Sequence, residues 1–405
     1  MKIKVVKGGV CAAKGFRASG VAARIKYEGR KDVALVVADK PCAAAAVFTT
    51  NAVAAAPVQF DRQIIKGGKV QAILANSGCA NACTGEEGYK DAEFSAMKTA
   101  EFLGINPKHV LVASTGVIGH RLPVERLVAG AKNAAATLKA SSAAEHDAEA
   151  AIMTTDTKPK HAAVKVVIDG KTVTVGGMCK GSGMIEPNMA TMLGFITTDA
   201  AITPVMLKRA LKIAIALSFN RVVVDGDEST NDSVFLLASG AAGNTEIKNG
   251  GEDFRIFTEA LTAVGISLAK QMASDGEGAT KFVTVTVKNA ASQKDADRAA
   301  RAVAKSPLAK TSWFGKDPNW GRVLAAVGYS GATVSDRKAE VFYGKEWAYC
   351  KGKVADEKQL KKLAKVLEKK ELEVIVDLHE GTFSSSIYTC DFSLDYVHIN
   401  ADYTT

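Results

Sequence analysis

Short apolar runs alternate with amphipathic stretches along the chain, and this alternation limits the fold to a mixed α/β class. Helical periodicity predicts helices at Asp91–Leu103, Val124–Leu138, Thr203–Leu217, Phe254–Met272 and Asp295–Ala304. Short runs of apolar and β-branched residues predict strands at Val33–Val37, Val70–Leu74, His109–Ala113, Arg221–Val224, Val234–Leu237, Lys281–Val287, Glu340–Tyr343 and Leu372–Leu378.

A sequence pattern typical of a β-hairpin further limits the α/β folds that are possible. Ala162–Ile168 and Thr172–Val175 flank Asp169-Gly170, a dipeptide typical of tight β-turns. Hairpins beside helices argue against a purely parallel, doubly wound sheet. The sequence therefore predicts a layered α/β sandwich with mixed sheets. A length of 405 residues allows one large domain or two ordinary ones.

The net charge of +9 raises the question of a nucleic-acid partner. Much of the excess lies on one amphipathic helix, where lysines surround Leu360, Leu363 and Leu367, so a solvated basic face is favoured. An anionic small substrate would also suit a basic protein. No apolar run reaches the roughly 18 residues of a membrane span, and Met1–Lys7 alternates like a strand. We expect a cytoplasmic protein with neither a nucleic-acid nor a membrane partner.

The seven cysteines suggest no disulfide framework. Cys79 and Cys83 are spaced like a possible metal pair, but no second pair matches them. We expect buried free thiols in a reducing compartment and no bound metal. His379 and His398 are expected to be structural or surface residues.

The most informative run extends from Lys180 to Leu193 and leads from glycines through Pro187 and Ala190 into Thr191. Its spacing fits neither a P-loop nor a dinucleotide fingerprint. A threonine hydroxyl needs a base to become a nucleophile, and a free α-amine, with a pKa of roughly 7.7–8.0, is such a base. Cleavage before Thr191, through attack of its hydroxyl on the Ala190 carbonyl, would create nucleophile and base together.

This run resembles the autoprocessing signature of the glutamate N-acetyltransferases, also called ornithine acetyltransferases. Further segments of the chain resemble the same family in order and spacing. They are Gly15–Gly20, Phe48–Asn51, Ala75–Gly85, Ser114–Gly119, Ile152–Thr157, Val224–Asp232, Ala273–Lys281, Asp317–Arg322 and Asp395–Tyr403.

The resemblance implies an enzyme that cleaves itself between Ala190 and Thr191, giving an α chain of residues 1–190 and a β chain of residues 191–405. Thr191 would then carry the acetyl group in a ping-pong cycle from N2-acetylornithine to L-glutamate. No cofactor is implied, although acetyl-CoA is a possible second donor. The family assembly is a heterotetramer of two α and two β chains.

The resemblance also implies the site residues. Thr115 and Gly116 would form the oxyanion hole. The substrate would contact six positions, namely Thr154, Lys180, Thr191, Glu277, Asn400 and Thr405. These residue types suit the substrates, since a lysine can hold the shared α-carboxylate and Glu277 can pair with the ornithine ammonium.

Two other functions compete with this one. An aminopeptidase or amidohydrolase could use the same nucleophile with water as the acyl acceptor. A binding or structural protein is suggested only by the charge, and it would remain one uncut chain.

Overall fold

The computed structural model describes residues 3–186 and 192–402. These residues form two compact units. The first unit takes the chain up to Asn220 together with Asp227–Ala269, and the second takes Arg221–Gly226 together with the chain from Lys270 onward. The predicted division into chains 1–190 and 191–405 is of another kind, because it concerns a cut in the backbone and not a boundary of packing.

The first unit is built on strands that form one mixed sheet. Nine strands are found among its described residues: β1 (Lys4–Val6), β2 (Phe16–Val21), β3 (Val33–Phe48), β4 (Lys69–Cys79), β5 (Val110–Val117), β6 (Lys160–Ile168), β7 (Lys171–Lys180), β8 (Leu193–Thr198) and β9 (Ser233–Ala238). Their spatial order is β1-β6-β7-β8-β9-β3-β4-β5, with β2 paired to β3. The β4–β5 and β8–β9 pairs are parallel, and the other pairs are antiparallel.

Helices pack on both faces of this sheet. They are α1 (Ala56–Ile64), α2 (Gly85–Leu103), α3 (Val124–Ala136), α4 (Ser142–Ile152), α5 (Pro204–Leu217) and the first part of α6 (Glu252–Ser274). Successive residues of β3 belong to different hydrophobic cores. Val36 belongs to the cluster that contains Ala148 of α4. Leu35 belongs to the cluster that contains Ala96 of α2. Because neighbouring side chains of a strand point to opposite faces, the sheet is buried on both sides.

The predicted hairpin is confirmed as β6 and β7, which pair antiparallel up to Ile168 and Lys171. Asp169 and Gly170 take φ values of 49° and 68°. Two successive residues with positive φ are what a type I′ turn requires, and aspartate followed by glycine tolerates them.

Strand β3 is much longer than the predicted Val33–Val37. It continues past Pro41 because it changes partners, pairing with β4 in its first half and with β9 from Ala43 onward. The register shifts between Val37 and Cys42. The alanines of the second half have no alternating pattern, so the sequence did not reveal this part.

The strand predicted at Arg221–Val224 is wrong. Phe219–Arg221 is a 3-10 turn, and Val222 forms only an isolated bridge to Tyr388. The three valines that follow Arg221 are fully buried. Burial of a single crossing segment therefore explains the apolar run without a ladder of strand pairs.

The second unit contains a smaller mixed sheet. Its described residues form six strands: β10 (Phe282–Ala290), β11 (Glu340–Tyr343), β12 (Glu346–Cys350), β13 (Lys353–Val354), β14 (Glu371–Asp377) and β15 (Phe383–Cys390). The order is β13-β12-β11-β14-β10-β15. The helices are α7 (Gln293–Lys305), α8 (Pro307–Phe314), α9 (Trp320–Tyr329), α10 (Glu357–Leu367) and α11 (Leu394–Asp402).

The lysine-rich amphipathic helix is confirmed as α10. Asp356 caps its N-terminus by accepting a hydrogen bond from the Gln359 amide at 2.8 Å. Leu363 and Leu367 are buried in the core of the second unit, while most of the lysines are exposed. None of the helices described is long and apolar enough to span a bilayer. The predicted layered α/β class with mixed sheets is confirmed.

Candidate active site

The predicted oxyanion residues lie at the end of β5, next to β4. Thr115 is almost buried, with 9% of its surface exposed. Gly116 pairs with Gly78 of β4 and has a φ of 131°. A Cβ atom on Gly116 would lie 2.4 Å from the Gly78 carbonyl carbon. Glycine is therefore required at this position for both backbone conformation and space.

Lys180, the last residue of β7, is brought to this point. Its Nζ donates a hydrogen bond to the Thr115 hydroxyl at 3.2 Å. Lys180 is 4% exposed, so its charge is held largely away from water. Two residues that are distant in the sequence, both predicted as site residues, are thus in direct contact.

Asp156 connects a further predicted residue of this unit, Thr154, to the cluster. Its carboxylate accepts hydrogen bonds from the Thr154 amide at 3.1 Å and from the Gly181 amide at 2.7 Å. It also accepts one from Lys160 Nζ at 2.7 Å. The side chains of Asp156 and Lys160 are 0% and 1% exposed. Thr154 and Lys180 therefore lie beside a buried ion pair.

The charges around Asp156 determine its ionisation. Burial by itself would raise the pKa of this carboxyl group, but the nearby ammonium groups of Lys180 and Lys160 outweigh it. Together with the hydrogen bonds from Lys160 and Gly181 they lower the pKa to about 2. The carboxylate is consequently ionised at neutral pH.

The predicted cleavage residues Ala190 and Thr191 lie outside the described residues. The chain is described again from Met192, whose amide donates to the Asp232 carboxylate at 2.5 Å. Asn231, the residue directly before Asp232, is bound elsewhere, since its Nδ2 donates to the carbonyl oxygens of Ala80 and Ser114. The loop before β9 thus contacts both Met192, the residue after Thr191, and Ser114, the residue before Thr115.

Sequence reasoning did not assign a role to Asp156, Asn231 or Asp232. All three lie in segments that resemble the family, and all three are buried. Buried carboxylates and amides need several partners, and the sequence does not show how many partners each finds. Each of the three stands in a run of polar residues, so the sequence does not distinguish it from its neighbours.

In the second unit, Glu277 and Asn400 are in contact. Asn400 Nδ2 donates to Glu277 Oε2 at 2.8 Å and to the Tyr396 carbonyl oxygen at 3.0 Å. Glu277 is 8% exposed, whereas Asn400 lies on the exposed helix α11. Thr405, the remaining predicted substrate residue, lies outside the described residues.

A cavity of about 620 Å³ in the first unit does not involve the predicted residues. It lies between α1 and the start of α2, and Gln59, Thr84, Tyr89 and Lys90 are among the residues that line it. Size alone does not indicate catalysis, and the buried groups around Asp156 do not line this cavity.

The cysteines in the described residues are free thiols, but Cys83 is exposed, so the prediction of buried thiols is wrong there. Cys83 lies two residues before the start of α2 and has a φ of 57°. Glu340, Asp377 and His379 form a group close enough to hold a cation. The Asp377 oxygens already accept hydrogen bonds from Asn289 at 2.8 and 3.0 Å, and Lys288 lies 3.3 Å away. These contacts describe an ion-pair network.

The fold and the cluster around Asp156 define a mixed α/β protein with a buried charged site. The sequence model of the ArgJ family matches residues 17–405. The arginine biosynthesis bifunctional protein ArgJ of Symbiobacterium thermophilum is 52% identical over 401 residues, covering 98% of this chain and 99% of that protein. The chain therefore belongs to the ArgJ family.

Two further relatives carry related names. A glutamate N-acetyltransferase of Methanothermobacter thermautotrophicus is 44% identical over 418 residues, covering 100% of this chain and 99% of that protein. A solved structure of ornithine acetyltransferase complexed with ornithine, from Mycobacterium tuberculosis, is 41% identical. That comparison covers 46% of this chain and 99% of the solved chain, with a TM-score of 0.44.

Proposed function

We propose that this protein transfers an acetyl group from N2-acetylornithine to L-glutamate, releasing ornithine and N-acetylglutamate. The observation that carries the proposal is the hydrogen bond of 3.2 Å between Lys180 and Thr115, made within a buried cluster that also contains Asp156. Relatives named glutamate N-acetyltransferase and ornithine acetyltransferase support the same reaction.

The first step of the proposal is self-cleavage between Ala190 and Thr191. The Thr191 hydroxyl attacks the Ala190 carbonyl, the acyl group moves from nitrogen to oxygen, and water hydrolyses the ester. The new α-amine can then take the hydroxyl proton during each attack on substrate. The anchored Met192 amide supports this step, since it fixes the chain at the residue that follows Thr191.

In the transfer step, Thr191 attacks the acetyl carbonyl and forms an acyl-enzyme, which glutamate then attacks in the second half of a ping-pong cycle. The Gly116 amide and the Thr115 hydroxyl would donate to the developing oxyanion. The loss of one such donor commonly costs about a hundredfold in rate.

The substrates define the remaining roles. Lys180 and Thr154 would hold the α-carboxylate that acetylornithine and glutamate share. Glu277, with Asn400 beside it, would pair with the side-chain ammonium that only ornithine carries. Thr405 would complete the substrate contacts.

The proposal includes the wider family expectations. Chains 1–190 and 191–405 would assemble as a heterotetramer of two α and two β chains in the cytoplasm. The exchange itself needs no cofactor. Acetyl-CoA would serve as an additional acetyl donor if the protein is bifunctional, as the name of the Symbiobacterium relative indicates for that protein.

Two measurements test the function. Intact mass spectrometry should find two chains for the wild type and one uncut chain for Thr191→Ala. Acetylornithine labelled in its acetyl group should pass label to glutamate. Release of free labelled acetate regardless of glutamate would instead support the hydrolase, and a wild-type chain that stays whole yet turns over at full rate would exclude the Thr191 mechanism.

A further inference from the structure

A lysine with no role in the proposed chemistry, Lys310 of α8, is fully buried in the second unit. Its Nζ donates to Thr389 Oγ1 at 2.7 Å and to the Cys390 carbonyl oxygen. The ammonium lies 4.6 Å from the centre of the Phe392 ring. The Phe392 amide also donates to the Lys310 carbonyl oxygen, at 3.3 Å. Lys310 therefore holds the end of β15 through both its side chain and its backbone.

A buried ammonium is costly unless such partners surround it. Burial lowers the pKa of Lys310, while Asp225 and Asp391 act in the opposite direction. A leucine or methionine would fill the same space without this cost. The cost indicates that the hydrogen bonds of Lys310, rather than its volume, are what the fold uses.

The segment held by Lys310, at the end of β15, contacts the loop that carries Glu277. The Asp391 carboxylate accepts hydrogen bonds from the amides of Thr280 and Lys281 at 2.8 and 2.9 Å. Cys390 Sγ would lie 2.8 Å from a Cβ atom placed on Gly276. The loop is thus fixed on both sides of Glu277.

The same segment leads directly into α11, the helix that carries Asn400. Ser393 Oγ donates to the Gly278 carbonyl oxygen at 2.6 Å and accepts from the Asp395 amide at 3.1 Å. Gly278 has a φ of 66°, and a Cβ atom there would lie 2.4 Å from the Tyr396 nitrogen. The start of α11 and the Glu277 loop are therefore in van der Waals contact.

We propose that Lys310 is a positioning residue for substrate binding: by fixing the end of β15 it sets the distance between Glu277 and Asn400. This inference rests on the proposed function, because it assumes that Glu277 meets the ornithine ammonium. Glutamate has no such ammonium. Loss of Lys310 should therefore weaken binding of acetylornithine more than binding of glutamate.

The test compares Lys310→Met with Lys281→Met. Lys281 is also buried in the second unit, but its ammonium donates to the carbonyl oxygens of Leu367 and Lys369. We expect Lys310→Met to raise the KM for acetylornithine at least about tenfold, as the loss of hydrogen bonds from a charged group implies. The KM for glutamate and kcat should change less than about threefold, and the Lys281→Met values should stay near wild type. Equal rises in the two variants, or no rise in Lys310→Met, would overturn the inference.

A double variant shows whether Lys310 acts through Glu277. Combining Lys310→Met with Glu277→Gln should raise the KM for acetylornithine no further than Glu277→Gln alone. Additive effects would mean that Lys310 acts elsewhere. If Lys310→Met does not fold, Ser393→Ala decides the question, with an expected KM rise of about threefold and an unchanged KM as the contrary result.

Hydrogen exchange separates this inference from the proposed reaction. Lys310→Met, or Ser393→Ala if the first does not fold, should speed amide exchange in residues 275–279 and 394–402 more than Lys281→Met does. Unchanged exchange overturns the positioning role whether or not the enzyme transfers acetyl groups. Failure of the wild type to transfer label to glutamate would overturn the proposed reaction and leave the exchange result intact.

Discussion

The Lys180 ammonium donates to the Thr115 hydroxyl and so joins the end of β7 to the end of β5. Because an ammonium can only donate, the hydroxyl oxygen must be the acceptor in this bond. The Thr115 proton is then left to point elsewhere. In the proposed mechanism this orients the hydroxyl as a donor to the oxyanion, and one lysine serves both substrate binding and the acyl-transfer step.

Asp156→Asn should destabilise the protein by about 3–5 kcal/mol at pH 7, because it leaves Lys160 buried without its opposing charge. The folded pKa of about 2 lies below the unfolded value. Stability from the carboxylate is therefore fully present above about pH 4 and is lost as the pH falls towards 2. Urea unfolding of both proteins at pH 7, 4 and 3 should show the difference shrinking in acid; a constant difference would contradict the assignment.

For Asp61 we predict the opposite dependence of stability on pH. It is fully buried on α1 and accepts only the Val112 amide, at 3.0 and 3.3 Å, among the hydrogen bonds described. Burial raises the pKa of this carboxyl group well above its usual value. Its contribution is present below the unfolded pKa of about 3.9 and is lost as the pH rises through the folded pKa.

Asp61→Asn keeps an acceptor for Val112 and removes the ionisation. We expect it to lie within about 1 kcal/mol of wild type near pH 4 and to gain relative stability towards pH 8. The free energy of unfolding across this range is the measurement. Asp156→Asn provides the comparison, since its difference from wild type should change in acid and not in base. A wild-type advantage that grows with pH would be the contrary result.

The requirement for glycine at the end of β5 can be tested by adding a Cβ atom there. Gly116→Ala should cost about 3 kcal/mol or more, since it combines backbone strain with a contact of 2.4 Å to Gly78. Gly119 also has a positive φ, of 82°, but a Cβ atom added there would have no neighbour within 4 Å. Gly119→Ala should therefore cost only about 1 kcal/mol. Equal losses in urea unfolding would show that close approach to β4 is not the constraint.

Sequence patterns predicted the elements whose burial is regular. The hairpin of β6 and β7 has an alternating pattern and a diagnostic turn, and α10 has a clear apolar stripe. The second half of β3 was missed because its alanines fit a strand and a helix equally well. Arg221–Val224 was misassigned because a fully buried single segment and a strand have the same composition.

For the candidate site, the sequence indicated some of the residues but not the contacts between them. A resemblance can indicate Thr115 and Lys180 separately, but their contact depends on β5 and β7 ending at the same place. Asp156 was not identified because its importance comes from four partners that meet only in the folded chain: Thr154, Lys160, Lys180 and Gly181. Pairings of this kind are set by sheet topology, which local sequence patterns do not specify.

Asp232 supports a prediction about cleavage. It is 1% exposed, and its carboxylate accepts the Met192 amide at 2.5 Å. The Ser233 amide in turn donates to the Met192 carbonyl oxygen, at 3.1 Å. Met192, the residue that follows Thr191, is therefore held through both its amide and its carbonyl group.

Asp232→Asn should slow self-cleavage at least about fivefold, since a hydrogen bond to a carboxylate is roughly twice as strong as one to a neutral amide. Asparagine keeps the shape and an acceptor, so the variant should still fold. The two chains can be quantified by intact mass spectrometry at intervals after synthesis. Asp227→Asn, which changes an exposed carboxylate of the same loop, should cleave at the wild-type rate. Equal rates for all three proteins would mean that the anchor at Met192 plays no part in aligning the Thr191 hydroxyl with the Ala190 carbonyl.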